Sequence, residues 1–113
     1  MHEQSIVESI LAVALEHAER AKASKIVRVH VVVGELSGVV DEAASFYFSF
    51  LSKDTIAAQA VLCFRHVAAE FRCRQCDRVF AAEGRGPVCP ECRDPIVDIV
   101  AGRELYVDSL EVE

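Results

Sequence analysis

The chain has 113 residues, 52% of them hydrophobic, with a formal net charge of -6 and five cysteines. That length allows one ordinary domain and a small appendage, and no apolar run approaches the ~20 residues that a membrane-spanning helix needs. The acidic balance speaks against a nucleic-acid partner, which requires a positive footprint to displace phosphate counterions.

In chain order, Ile6, Val7, Ile10, Leu11, Val13, Ala14, His17, Ala18 and Ala21 recur at three- and four-residue steps, which predicts an amphipathic helix from Ser5 onward. Ser5 and Glu8 have the spacing of a capping box. After the polar stretch 22–25, Ile26 to Val33 reads as a strand with Val27, Val29, Val31 and Val33 on a buried face. Arg28 and His30 fall on the other face, where His30 is an ordinary half-exposed residue rather than a ligand. Gly34-Glu-Leu-Ser-Gly38 breaks the strand. A second helix is expected over Asp41 to Lys53, with Ala43, Phe46, Tyr47, Phe50 and Leu51 as its core face. Asp41 and Glu42 suit its positive N-terminal end. Ala60 to Ala68 is a further strand, with Cys63 as a small buried apolar residue. Ile96 to Val100 and Leu105 to Val112 are two more strand candidates around a turn at Gly102-Arg103.

Between these strands lie Cys73-Arg-Gln-Cys76 and Cys89-Pro-Glu-Cys92. A two-residue gap lets both sulfurs of a pair point to one side of a tight turn, and two such turns facing each other complete a tetrahedron around Zn²⁺. Four thiolates leave no position for water, so this zinc is structural rather than catalytic. Disulfides would need an oxidising compartment, whereas Met1-His2-Glu3-Gln4 carries no basic or apolar leader and Cys63 makes the cysteine count odd. A thioredoxin-like dithiol would use one such pair where a strand meets a helix. Zinc binding to finger-sized peptides is worth roughly 10–16 kcal/mol, and residues 72 to 94 are expected to lose order without it. Locally, Arg72, Arg74, Arg78, Arg85 and Arg93 oppose Asp77, Glu83, Glu91 and Asp94, and with Zn²⁺ on four thiolates the loop carries about -1. Such a loop attracts phosphate poorly.

The fold class that follows is α+β: a small sheet of about three strands covered by two helices, with an inserted four-cysteine zinc-ribbon-like domain. Residues 1–69, completed by a C-terminal strand, 99–113, form the α/β domain, and residues 70–98 form the inserted zinc-binding domain.

The other chemistry lies at Met1-His2-Glu3. The free α-amine of Met1, the His2 backbone nitrogen and the His2 imidazole can chelate one metal, with Glu3 as a fourth donor. Tetragonal nitrogen and oxygen surroundings suit Ni²⁺ or Cu²⁺. Met1-His2-Glu3-x-Ser5-Ile6, Gly34-Glu-Leu-Ser-Gly38, the paired Cys-x-x-Cys motifs and the ending Gly102-Arg-Glu-Leu105 with Glu111-Val-Glu113 together resemble the HypA/HybF hydrogenase maturation family, in order and over essentially the whole chain. The resemblance implies a cytoplasmic nickel metallochaperone, not an enzyme, that helps deliver Ni(II) to the large subunit of [NiFe] hydrogenase with a HypB-type GTPase. It maps nickel ligands onto His2 and Glu3, and zinc ligands onto Cys73, Cys76, Cys89 and Cys92. A homodimer is possible, and the acidic balance of the chain gives no nucleic-acid partner. From the residues alone, the other reading is a zinc-ribbon module acting as a protein or nucleic-acid adaptor.

Overall fold

The computed structural model describes residues 3–81 and 86–113. Its elements run α1 (Glu3–Arg20), β1 (Ile26–Gly34), a 3-10 turn (Glu35–Ser37), α2 (Asp41–Leu51), β2 (Val61–Val67), β3 (Glu70–Cys73), β4 (Val79–Ala81), β5 (Val97–Ala101) and β6 (Leu105–Val112). They form two three-stranded sheets, one in the order β2-β1-β6 and one in the order β4-β3-β5. The chain divides into two compact units. The first takes the described residues up to Val32, with Gly38–Arg65 and Leu105–Glu113; the second takes Val33–Ser37 and His66–Glu104. Among the described residues no helix is long and apolar enough to cross a membrane.

In the first unit α1 buries Ile6, Val7, Ile10, Leu11, Ala14 and Ala18, the stripe that three- and four-residue spacing places on one face. The helix begins two residues earlier than its sequence suggests. Ser5 therefore lies inside it, Ser9 Oγ donates to the Ser5 carbonyl at 3.2 Å, and Glu8 accepts from Gln4, so the expected capping box is not formed. The helix ends at Arg20, and two residues on Lys22 is left-handed at φ 56°, with the Ala23 N–H closing on the Ala18 carbonyl at 3.0 Å. Next comes β1, in which Ile26, Val29 and Val31 to Val33 are buried. Three consecutive buried valines mean that both faces are covered there, and at the start of the strand Ile26 is buried while Val27 is only half-buried, so the expected alternation of Val27, Val29, Val31 and Val33 does not hold along the strand. At that end Lys25 and Glu113 exchange both backbone hydrogen bonds, which zips the end of the chain onto β1.

Helix α2 turns a different face inward from the one expected. Ala44 and Phe48 are buried, whereas Phe46 and Phe50 are 67% and 62% exposed. The segment carries apolar residues nearly all round, so periodicity offers two stripes. Small Ala44 and Ser52, one turn to either side of Phe48, let the helix approach its neighbours closely, and that selects the stripe. Cys63 is half-buried.

In the second unit β3 is central and antiparallel to both neighbours, with Phe71 opposite Phe80 on β4 and opposite Ile99 on β5. The strand candidate Ile96 to Val100 thus pairs with β3 in a separate sheet, and β6 alone returns to β1. The core is small: Ala69, Phe71, Cys73, Phe80 and Cys89, with Val97 against it, and the Phe71 and Phe80 rings 5.9 Å apart. The segment after β1 is stitched into this unit. Gly34 N–H donates to the Glu104 carbonyl at 2.6 Å and Leu36 N–H to the Gly102 carbonyl at 2.7 Å. Ala69 N–H donates to Glu35 Oε1 at 2.8 Å.

Candidate metal centre

Cys73 is the last residue of β3, and residues 74–77 turn the chain back into β4. The turn repeats at the second cysteine pair. Asp77 N–H donates to the Cys73 carbonyl and Arg93 N–H to the Cys89 carbonyl, both at 2.9 Å. Cys73 N–H donates to the Arg78 carbonyl at 2.9 Å and Cys89 N–H to the Asp94 carbonyl at 3.2 Å. In each turn the residue after the second cysteine is left-handed, Asp77 at φ 64° and Arg93 at φ 59°. That conformation aims the following N–H at a sulfur: Arg78 N–H bonds Cys76, and Asp94 N–H bonds Cys92. Two copies of one knuckle therefore face each other, each presenting two sulfurs ringed by backbone donors.

The four sulfurs lie within 4.8 Å of one another, with Cys73 Sγ 3.3 Å from Cys92 Sγ and Cys76 Sγ 3.6 Å from Cys89 Sγ. Bonds of ~2.3 Å to zinc make a tetrahedron with edges of about 3.8 Å, so the donor set fits a closed four-thiolate zinc. All five cysteines are free of disulfides. Cys73 and Cys89, the first of each pair, are buried, and Cys76 and Cys92 are exposed. Electrostatics favour a dication here. Backbone N–H donors, Cys92 first, then Glu91, outweigh burial and lower the Cys89 pKa to about 6. At Cys92 the Asp94 N–H pulls downward, but the Cys73 sulfur, burial and the other two sulfurs raise its pKa to about 12. At Cys76 the Arg78 N–H is likewise outweighed by burial and by the Cys89 and Cys73 sulfurs, which raise its pKa. Without a cation the set cannot shed all its protons; Zn²⁺ supplies the charge that lets four thiolates coexist.

Ion pairs brace the knuckles. Arg74 donates through Nε and Nη2 to Asp98 Oδ1 at 2.9 and 2.7 Å, and Arg74 first lowers the Asp98 pKa. Arg78 reaches Glu91 at 2.9 Å, from one knuckle to the other. The sequence shows the charges; it does not show which would pair.

The N-terminal donors differ in their standing. Met1 and His2 lie outside the described residues. Glu3 opens α1, and its Oε2 accepts the Val40 N–H at 3.1 Å. Sequence patterns carry no trace of that contact, because the acceptor meets a backbone group rather than a complementary side chain.

A two-unit α+β fold, with a closed four-cysteine centre in the smaller sheet, defines a metal-binding protein whose cysteine centre is structural. Residues 1–112 match the family described as hydrogenase/urease nickel incorporation, metallochaperone, hypA. The chain belongs to the HypA family of nickel-incorporation metallochaperones for hydrogenase maturation. It is 42% identical over 113 residues to the hydrogenase maturation factor HypA of Dehalococcoides mccartyi strain 195, spanning 100% of this chain and 95% of that protein. The HypA of Caldanaerobacter subterraneus subsp. tengcongensis is 39% identical over 115 residues, with both chains covered completely. The solution structure of the Ni metallochaperone HypA from Helicobacter pylori superposes with a TM-score of 0.71 at 32% identity, covering 99% of this chain and 97% of that one. A second HypA solution structure gives 0.74 at 34% identity, covering 100% and 97%.

Proposed function

We propose that this chain binds Ni(II) through the Met1 α-amine, His2 and Glu3, and assists its insertion into the large subunit of [NiFe] hydrogenase in the cytoplasm, with a HypB-type GTPase as partner. In the same reading Cys73, Cys76, Cys89 and Cys92 hold structural zinc, and the protein acts as a carrier rather than an enzyme. The observation that carries it is the whole-chain family match, which begins at residue 1 and so includes the Met-His-Glu start. Chemistry supports the division of labour. A closed thiolate cage retains its metal, whereas a carrier must release its cargo, which a few nitrogen and oxygen donors at a chain end allow. A bare zinc-ribbon adaptor would leave the match over the helical half of the chain without a purpose.

Isothermal titration of Ni²⁺ into the zinc-loaded protein and its His2→Ala variant tests the assignment. The variant is expected to bind at least about tenfold more weakly, by the scale at which lost metal-site groups act, with its zinc content unchanged. Equal nickel affinity in the two proteins overturns it.

A further inference from the structure

Helix α2 lacks a side-chain cap of its own. Its N-cap residue is Val40, extended at φ -104° and ψ 121°, with no side-chain cap bond. The Val40 carbonyl accepts the Ala44 N–H at 2.9 Å. On its other side the Val40 N–H is taken by Glu3 Oε2 at 3.1 Å. A carboxylate from the first turn of α1 therefore sits at the positive end of α2, where negative charge is favoured. Asp41 and Glu42 open α2 at the same end, so the cap gathers carboxylates that a cation would relieve.

A carboxylate offers about four lone-pair sites, and the Val40 N–H uses one of those on Oε2. Carboxylates that ligate metals are typically oriented by a hydrogen bond to the second oxygen. We propose that the Val40 N–H is the positioning donor for Glu3, and that nickel on the N-terminal donors tightens the start of α2, so that residues 38–44 register whether cargo is bound. This rests on the nickel reading above. Glu3 would then serve both, as a nickel donor and as acceptor of the Val40 N–H. Coupling is reciprocal: what loading adds to the cap, the cap returns as nickel affinity.

Hydrogen exchange of the full zinc-loaded chain, read by mass spectrometry with and without one equivalent of nickel sulfate, tests this. Peptides covering 38–44 should exchange several-fold more slowly with nickel, while those within 10–18 of α1 stay unchanged. Without nickel, Glu3→Ala should speed exchange at 38–44. Glu3→Gln, whose amide oxygen still accepts an N–H, should hold it near wild type yet gain no protection from nickel. If nickel binds in a His2-dependent way and exchange at 38–44 does not change, the coupling is wrong and the nickel assignment stands. If nickel binds wild type and His2→Ala equally, both fall.

Discussion

Gly34 and Gly102 touch backbone to backbone: a Cβ on Gly34 would fall onto the Gly102 carbonyl, and one on Gly102 would lie 2.8 Å from Ala69 Cα. Gly102 also has a φ of 112°, closed to other residues. Both glycines sit where the segment after β1 and the end of β5 meet within the second unit. No flexible side-chain tip is available to yield, so Gly34→Ala should cost at least the ~1–3 kcal/mol of an overpacked core. Gly38→Ala is the control, since its Cβ meets nothing within 4 Å and only its φ of 79° is violated, worth about 1–2 kcal/mol. Urea unfolding at saturating zinc should rank Gly34→Ala below Gly38→Ala, and Gly38→Ala below wild type.

Zinc removal should act on the second unit and largely spare the first. Two of the five buried residues in its core cluster are cysteines of the metal centre, so the loss of zinc removes the cage and part of the apolar packing together. A chelator should abolish hydrogen-exchange protection over 70–81 and 86–101 while α1 and α2 keep their far-ultraviolet helix signal. All four cysteines should then open to alkylation together, since the burial of Cys73 and Cys89 is lost with the fold around them. Equal protection of 70–81 with and without metal would contradict this.

The left-handed residues of the knuckles offer a gain-of-stability test. Arg93 at φ 59° carries a Cβ where glycine would be unstrained, at a penalty of roughly 1–2 kcal/mol. Among the described residues Arg93 makes no ion pair, so Arg93→Gly gives back part of that penalty against the greater freedom of an unfolded glycine. Its zinc affinity, read by competition with a chromophoric chelator, should rise by up to about tenfold. Asp77→Gly should gain less, because Asp77 also meets Arg72 at 3.4 Å.

What the sequence disclosed, and what it withheld, follows from range. The α1 stripe was legible because Ile6, Val7, Ile10, Leu11, Ala14 and Ala18 are the only large apolar face that segment offers; Val13, at its margin, is 39% exposed. Helix α2 was misread because Phe46 and Phe50 compete with Phe48 for the core, and only the neighbours' shape decides. The cysteine spacing announced a tetrahedral site since the geometry is local to each turn. Strand patterns at 96–100 said β but not which sheet, because pairing partners are set by closure of the knuckles. The left-handed Arg93 left no sign, arginine having no preference for that region, and Asp77 left only the weak one that aspartate carries.

The last prediction concerns acid. Glu111 on β6 accepts from Arg28 Nη1 and pairs with His30 Nε2, each at 2.6 Å, both on β1. His30 first, then Arg28, hold its carboxyl below the usual glutamate range. In the unfolded chain those partners are gone and the pKa is ordinary, so the unfolded state takes up a proton first as pH drops. The stabilisation is therefore fully present above the ordinary glutamate range and is lost as pH falls through that range toward the depressed folded value. Exposure of all three side chains keeps the effect modest. Thermal unfolding of wild type and Glu111→Gln over roughly pH 3 to 7 should show a gap in melting temperature at neutral pH that closes as the solution is acidified. Zinc release in acid acts on both proteins alike and cancels in the difference. A gap that stays constant with pH would mean that the β1–β6 edge draws no charge-dependent support from Glu111.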